Sequence, residues 1–422
     1  PQDFGTGYGA REIMLRVRFE PSEAGAREGW TVAEKDAPIL LVRPPVVLVH
    51  GTYDNPEDCW GTVIQGGPAV NTSSMSDRLK QEAFQVFTVD YSGSSGKKDR
   101  SDFESNRQVV WSSPGGIRDA LAEFRKAGFA ATKADLVCHS LGGVLARLYI
   151  ARGHRGYANS DNYGRGDVNR LITISSTHLG SEVMGLFDAY AKYTGVKVWY
   201  VESFFTRFFL GWVDNVEPSP ITTGAPIDQI PGSPALRGLG PTPVRAHSIA
   251  CVSANEDLDQ YSGLYLARAL KLWDWSGPDA IRSAIAIQMH NPKGATRLLN
   301  LKRLEMESYA RLQDTALLVA VSMDDPSATS QHEAMRLEHQ ALVRANAMAL
   351  REEVFQGPND CTVSEKSSQG GLKPPYTTTI RNVLHGFATQ YRSVQECVAR
   401  LLKSEGDSLF DPKGFPDAYP DR

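Results

Sequence analysis

The stretch DLVCHSLGGVLARLYI, residues Asp135–Ile150, decides the fold that this sequence predicts. Its first residues, Asp135–Cys138, have the composition of the end of a buried strand. Leu141–Ala151 has that of a helix, with two glycines in its first turn. Because only His139 and Ser140 lie between the two, the chain must turn very tightly from strand to helix. Such a turn projects the serine hydroxyl from the carboxyl edge of a parallel sheet, at the start of a helix.

This turn resembles the nucleophile elbow, a strained strand–turn–helix usually written G-x-S-x-G. Here the pattern is C-x-S-x-G, because Cys138 takes the first glycine position. That position needs a small side chain, since strand and helix nearly touch, and cysteine is small enough. The alternative is a plain glycine-rich turn between a strand and a helix, without chemistry.

A second segment, PPVVLVHGTY at Pro44–Tyr53, is a β-branched apolar run closed by His50-Gly51. Such a run is typical of a central buried strand. Acyl transfer places negative charge on the former carbonyl oxygen, and two preorganised backbone N–H groups stabilise that charge. By spacing, these donors would be the N–H groups of Thr52 and Leu141. The alternative is that His50-Gly51 only ends a strand.

Two later segments supply a carboxylate and a histidine. Asp360 lies in FQGPNDCTVSEKSSQGG, after a strand-like Glu353–Phe355 and a Gly-Pro turn, and His385 lies in TTTIRNVLHGFA. A serine triad needs a base that takes the serine proton and a carboxylate that orients the base. The order Ser140, Asp360, His385 suits loops that follow the last strands of such a sheet.

Each of these two residues also has a simpler interpretation, as a turn aspartate or a loop histidine. Asp257 and Asp259 directly follow the predicted strand Val244–Val252 and are the alternative acids. Asp360 is preferred because its whole loop matches a known pattern.

Three other histidines compete with His385. His178 ends a predicted strand and His247 lies inside one, so both are interpreted as structural. His139 directly precedes the serine, and strand alternation predicts that its side chain points away from Ser140.

Together the segments resemble the α/β-hydrolase fold lipases and esterases, nearest to the bacterial triacylglycerol lipase group. VVLVHGTYDNPEDCWG resembles that group's oxyanion strand and loop, and VCHSLGGVLAR resembles its nucleophile elbow. Asn169–Val183, NRLITISSTHLGSEV, resembles the strand ending in Thr-Pro-His-x-Gly-Ser, with Thr177 in the proline position. GPNDCTVSEKSSQGG resembles the Asn-Asp-Gly-x-Val acid loop, with Cys361 in place of glycine.

The resemblance implies roles for the matching residues. Ser140 would be the nucleophile, Asp360 the acid and His385 the base, with Thr52 and Leu141 as backbone oxyanion donors. It also implies an α/β-hydrolase fold: a mostly parallel central sheet with helices on both faces, a lid or cap, and an inserted helical subdomain.

One position departs from the group in a way that bears on metals. Several lipases of the group hold a structural calcium with an aspartate two residues after the catalytic histidine. In this sequence that position is Phe387. We therefore expect no metal site, and the chemistry needs no cofactor.

Composition narrows the class of protein. The 422 residues suit a large α/β core with insertions, and 22% charged residues are usual for a globular chain. The net charge of −4 and the lack of basic clusters argue against a nucleic-acid partner. No apolar run approaches a membrane span. Five cysteines are not a disulfide framework, and at least one is unpaired in a monomer.

The location of the protein stays open. The sequence begins at Pro1 with no apolar signal segment. Secretion after removal of a leader and a cytoplasmic location both fit this observation.

We divide the chain into five segments. Residues 1–184 form the first part of the core, and residues 185–243 form a lid or cap. Residues 244–260 carry a core strand, residues 261–353 an inserted helical subdomain, and residues 354–422 the acid loop, the histidine loop and a C-terminal helix.

Within the lid, Phe204, Phe205, Phe208 and Phe209 are candidates to line an acyl pocket or to contact a lipid surface transiently. The alternative is that they form the core of the cap.

The sequence thus predicts a serine hydrolase that acts on carboxylic esters, with a lipid-like or acyl ester as its small-molecule substrate. A phospholipase, a thioesterase and an acyltransferase share this machinery and stay open, because substrate choice depends on the cap. An inactive hydrolase fold used as a binding module is the alternative from another class.

Overall fold

A computed structural model describes most of the chain. The described residues are 10–52, 54–61, 73–92, 102–107, 109–112, 114–151, 157–186, 188, 224–253, 292–321, 325–404 and 408–420.

Six strands form one parallel sheet, as the sequence predicts. In chain order the strands of the structure are β1 Ala10–Phe19, β2 Ala33–Val42, β3 Val46–Val49, β4 Val86–Val89, β5 Ala134–His139, β6 Val168–Ile174, β7 Arg245–Val252 and β8 Thr377–Arg381. The sheet has the order β4-β3-β5-β6-β7-β8, and every neighbouring pair in it is parallel. All six carboxyl ends therefore meet at one edge of the sheet.

Helices surround the sheet and follow the predicted pattern. They are α1 Glu23–Arg27, α2 Met75–Gln81, α3 Phe103–Arg107, α4 Val109–Ser112, α5 Ile117–Lys126, α6 Leu141–Ala151, α7 Ala225–Asp228, α8 Pro234–Arg237, α9 Pro292–Val321, α10 Pro326–Phe355, α11 Glu365–Gln369 and α12 Arg392–Lys403. A π-helical turn covers Glu57–Gly61, and 3-10 turns cover Ser160–Asn162 and His385–Gln390.

Strand β3 shows why the sheet has an apolar core on each face. Its four residues are completely buried, and successive side chains point to opposite faces. Val47 and Val49 join a cluster with residues of α5 and α6, whereas Val46 and Leu48 join a cluster with residues of α2 and α12. Burying each such side chain contributes about 1.5–3 kcal/mol. Helices therefore cover both faces, as predicted.

The N-terminal hairpin departs from its prediction. The alternating pattern from Ile13 to Phe19 predicts a half-buried strand with Trp30–Ala33 as its hairpin partner. In the structure β1 instead pairs with β2, Ala33–Val42, as a separate two-stranded antiparallel sheet, and Leu15 and Val17 are exposed. Within the described residues neither face of this ribbon packs on the main core clusters, so alternation alone did not produce burial.

The segment before the acid loop is helical. α9 and α10 run antiparallel, with Arg297 beside Glu352 at 2.9 Å and Arg311 beside Glu338 at 2.5 Å. The strand predicted at Glu353–Phe355 is wrong, because these residues form the last turn of α10. The long helix before them continues through these residues and overrides their local strand propensity.

Other sequence features have simple outcomes. All five cysteines are buried and free, so none is in a disulfide. Among the described helices none has the length and apolar character needed to cross a membrane. The lid candidates Phe204, Phe205, Phe208 and Phe209 lie outside the described residues.

A buried ion pair fastens the strand that leads to Ser140. At the start of β5, Asp135 lies 2.6 Å from the guanidinium of Arg170 on β6. The same guanidinium donates to the backbone carbonyls of Leu401 and Leu402 in α12, at 3.2 Å and 3.0 Å. One cation thus ties two central strands to the helix behind them.

Replacing Arg170 tests this interaction. Because Arg170→Met leaves the Asp135 carboxylate buried without its cation, we expect a loss of about 3–5 kcal/mol in the free energy of unfolding. Urea denaturation followed by circular dichroism measures it. The control is Arg16→Met, since the Arg16–Asp36 pair on the hairpin is exposed and such pairs contribute about 0–1 kcal/mol. Equal losses in the two variants would contradict the role assigned to Arg170.

Candidate functional site

Ser140 occupies a strained turn between β5 and α6. Its backbone is left-handed, with φ of 52°, which is unusual for any residue other than glycine. The turn is possible because Gly142 comes very close to β3: a Cβ atom there would lie 2.5 Å from the carbonyl oxygen of Val49. The glycine of the C-x-S-x-G pattern is therefore required by this contact, and Cys138, at the first position, is fully buried.

The acid loop reaches the same edge of the sheet through backbone hydrogen bonds. The N–H of Ser253, at the end of β7, donates to the carbonyl of Asn359 at 2.7 Å. The N–H of His385 donates to the carbonyl of Asp360 at 3.0 Å, which joins the loop after β8 to the acid loop. Three segments from distant parts of the chain thus meet at this edge: the turn after β5, the acid loop beside the end of β7, and the loop after β8.

These loops bring Ser140, His385 and Asp360 into direct contact. His385 Nε2 lies 2.9 Å from Ser140 Oγ, and His385 Nδ1 lies 2.8 Å from Asp360 Oδ2. A carboxylate only accepts hydrogen bonds, so the Nδ1–H donates to Asp360 and Nε2 can accept from the Ser140 hydroxyl. All three side chains are buried.

The other oxygen of Asp360 is satisfied by its own loop. Asp360 Oδ1 accepts the N–H groups of Thr362 at 3.1 Å and Val363 at 2.8 Å. Cys361, which follows Asp360 directly, has φ of 79°, a conformation that glycine takes without strain. This backbone conformation explains why the similar Asn-Asp-Gly-x-Val loop has glycine at the position of Cys361.

A brace behind the acid loop was not predicted. Ser181 Oγ donates to the carbonyl of Thr362 at 2.7 Å, and Glu182 accepts the N–H of Ser364 at 3.1 Å and also its hydroxyl. Burial raises the pKa of the Glu182 carboxyl. Both residues belong to the Asn169–Val183 segment, whose resemblance was noted without a role for its last residues.

The loop after β3 lies directly against Ser140. A Cβ atom on Gly51 would meet Ser140 Cβ at 2.8 Å, so only glycine allows this approach. Thr52 Oγ1 accepts from the side-chain amide of Gln229 at 2.9 Å, and Gln229 in turn accepts from Thr177 at 3.2 Å. Gln229 was missed by the sequence analysis, because nothing in its local sequence links it to residue 52.

His50 anchors the same loop from behind. It stacks on Tyr91 with ring centroids 3.9 Å apart, and the Tyr91 hydroxyl donates to the His50 carbonyl at 2.5 Å. Burial lowers the pKa of His50 to about 4, so its ring is neutral near pH 7. The neutral ring therefore packs on Tyr91, and its Nε2 accepts a hydrogen bond from the backbone N–H of Tyr91.

His139 lies closer to the site than predicted. Its ring contacts the histidine loop, with Nε2 3.1 Å from the carbonyl oxygen of His385 and ring centroids 5.0 Å apart. The alternation rule places its side chain on the face opposite Ser140, but the loop after β8 passes over that face. Burial lowers the pKa of His139 well below its usual value.

The remaining histidines have structural contacts. His178 lies 3.2 Å from Thr173 Oγ1, and its ring packs on Phe415. His247 lies 2.6 Å from the carbonyl oxygen of Leu409 and 2.9 Å from a threonine hydroxyl.

Two further predictions concern Phe387 and the alternative acids. Phe387, at the position of the calcium-binding aspartate, is half-buried and packs on the apolar cluster beside α12. The alternative acids Asp257 and Asp259 lie outside the described residues.

A comparison with models of protein families agrees with this fold. The sequence model of the alpha/beta hydrolase family matches residues 46–354, a span that includes Ser140 and ends before Asp360 and His385. The search of the curated proteins returned no match.

Solved structures of bacterial enzymes are similar at low identity. A lipase of Bacillus licheniformis in its mature form is 12% identical with a TM-score of 0.36, over 92% of this chain and 98% of that one. A lipase of Staphylococcus hyicus is 13% identical with a TM-score of 0.38, over 85% of this chain and 92% of that one. Since the family model covers most of the chain and the parallel sheet has the matching architecture, this protein belongs to the alpha/beta hydrolase family.

Proposed function

We propose that this protein is a serine hydrolase that cleaves carboxylic esters, with lipid-like or acyl esters as substrates. The observation that carries the proposal is the chain of contacts from Ser140 Oγ through His385 to Asp360, at 2.9 Å and 2.8 Å. These are the distances over which a general base takes a proton from a nucleophile and is oriented by a carboxylate. An inactive binding module would have no need to keep this geometry.

In the proposed reaction, Ser140 Oγ attacks the ester carbonyl carbon while His385 Nε2 takes the hydroxyl proton. The tetrahedral intermediate collapses, and the same proton passes to the leaving alcohol. Water then attacks the acyl-enzyme with His385 again as the base, and the acid and free serine are released. Asp360 keeps His385 in the tautomer with Nε2 unprotonated and stabilises the imidazolium that forms.

The oxyanion would be held by the backbone N–H groups of Thr52 and Leu141. Among the described residues neither N–H donates to a protein acceptor, so both are available to a ligand. Leu141 is the first residue of α6, where an N–H has no partner within the helix. Gln229 holds the Thr52 side chain and so supports this half of the site.

The class of ester rests on the sequence resemblance, since the aromatic lid candidates Phe204, Phe205, Phe208 and Phe209 lie outside the described residues. Phospholipase, thioesterase and acyltransferase activities use the same three side chains. No contact among the described residues favours one of these over simple ester hydrolysis.

Removal of the proposed nucleophile is the first test. Ser140→Ala should lower turnover of p-nitrophenyl esters by roughly 10⁴-fold or more, because the members of a triad act as a unit. The variant should also lose labelling by a fluorophosphonate, which reacts only with an activated serine.

The matched control is Ser176→Ala, a buried serine after β6 whose hydroxyl has no partner within the described structure. It should keep both its labelling and its turnover. Turnover above a few per cent of wild type in pure Ser140→Ala would refute the assignment.

The second test separates the candidate acids. Asp360→Asn keeps the shape but favours the wrong histidine tautomer, so we expect a loss of up to about 10⁴-fold in turnover. Asp257→Asn and Asp259→Asn should change turnover little. Asp167→Asn is the control for a buried carboxylate. Asp167 directly precedes β6, at the opposite edge of the sheet from Ser140, and accepts a hydrogen bond from the Tyr149 hydroxyl. Full activity in Asp360→Asn would show that the acid lies elsewhere.

The substrate class is tested with p-nitrophenyl esters of increasing acyl length. If the aromatic residues of the lid line an acyl pocket, kcat/KM should rise from acetate to longer chains. Serine substitutions at Phe204, Phe205, Phe208 and Phe209 should then reduce turnover of long esters more than of acetate. Equal effects on all chain lengths would favour a general esterase.

A further inference from the structure

Three side chains with metal-binding atoms cluster behind the proposed active site. Asp54 and Cys59 belong to the loop after β3, and His139 ends β5. One carboxylate oxygen, the cysteine sulfur and one ring nitrogen all lie within 4.8 Å of one another. Cys59 and His139 are buried and Asp54 is half-buried, so the group is largely enclosed by protein.

The orientation of His139 points an unprotonated ring nitrogen into this cluster. Its Nε2 lies 3.1 Å from the His385 carbonyl, which can only accept, so Nε2 carries the hydrogen. Burial keeps the ring neutral by lowering its pKa, and Nδ1 is then unprotonated. This Nδ1 faces Cys59 Sγ at 3.7 Å. Histidine ligands of metals are usually oriented in this way, by donating the other ring N–H to a carbonyl or carboxylate.

Burial disfavours the charged forms of the two acidic groups in this cluster. It raises the pKa of Asp54 to about 7 and the pKa of the Cys59 thiol well above its usual range, and the neighbouring Asp54 carboxylate raises the pKa of the thiol further. A divalent cation would stabilise the carboxylate and the thiolate together.

We propose that Asp54, Cys59 and His139 bind a zinc ion. One sulfur, one nitrogen and one oxygen donor suit zinc, whereas calcium and magnesium require mainly oxygen ligands. Zinc–sulfur and zinc–nitrogen bonds of about 2.3 Å and 2.0 Å place such donors about 3.5 Å apart in a tetrahedral site. The separation of 3.7 Å between Cys59 and His139 is close to this value.

Binding would release the Cys59 proton, and a water molecule would complete the four ligands. The ion would tie the loop that carries Thr52 to the strand that ends at Ser140, and through His139 to the backbone of His385. The expectation of no metal site rests on Phe387, which replaces a calcium-binding aspartate of similar lipases. That argument concerns calcium and does not bear on a site with a thiolate ligand. The zinc site does not depend on the proposed hydrolysis, because metal binding is measured directly.

Cobalt spectroscopy on the full-length chain tests the proposal. The purified protein is stripped with a chelator and titrated with Co²⁺. We expect one equivalent to bind, with the visible bands of tetrahedral cobalt and a near-ultraviolet thiolate-to-cobalt band, and Zn²⁺ should abolish both. Zinc should also raise the melting temperature of the stripped protein. A wild-type protein that binds no cobalt, or binds it without a thiolate band, would overturn the proposal.

Matched variants locate the site. Cys59→Ala should lose the thiolate band and the thermal shift, and Asp54→Asn and His139→Gln should bind cobalt more weakly. Cys397→Ala, which removes a buried thiol from α12, should bind as wild type does. Ser140→Ala should also bind normally, which separates this test from that of the nucleophile. Should Cys59→Ala fail to fold, Cys59→Ser must lose the band, and a band that persists in it would refute the assignment.

Discussion

The close approach of helix α6 to strand β3 is the constraint on which the site depends. A side chain at Gly142 would lie 2.5 Å from the Val49 carbonyl, and one at Gly51 would lie 2.8 Å from Ser140 Cβ. Only glycine at both places lets the helix start directly after the strand and lets the loop after β3 lie against the serine. The left-handed Ser140 costs about 1–3 kcal/mol, which the complete burial of the surrounding strands offsets.

The position of Asp360 depends on a different kind of interaction. Its loop follows the long helix α10, and the carboxylate reaches His385 because backbone hydrogen bonds from Ser253 and to Asp360 hold the loop at the sheet edge. Ser181 and Glu182 hold the far side of the same loop. Since hydrogen bonds of neutral groups each contribute about 1 kcal/mol, precision here comes from several contacts acting together.

Two neighbouring histidines are held neutral by burial, which matters for the proposed chemistry. The pKa of His50 falls to about 4, and that of His139 also falls, so neither ring is charged near pH 7. A positive charge on His139 would lie beside His385 and would oppose the imidazolium that forms when Ser140 loses its proton. These rings therefore supply packing and hydrogen bonds without competing for the proton.

The sequence by itself predicted the parallel sheet and the tight turn at Ser140, because strand periodicity and short motifs depend on neighbours in the chain. It proposed Asp360 and His385 as partners of Ser140 through the resemblance of their loops to a known family. It did not determine that Leu15 and Val17 stay exposed, or that Glu353–Phe355 ends a helix, since burial and helix length depend on distant packing. Nor could it find Gln229 beside Thr52, or Cys59 beside His139. Those contacts join residues far apart along the chain, and only the convergence of loops at one sheet edge brings them within a hydrogen-bond length.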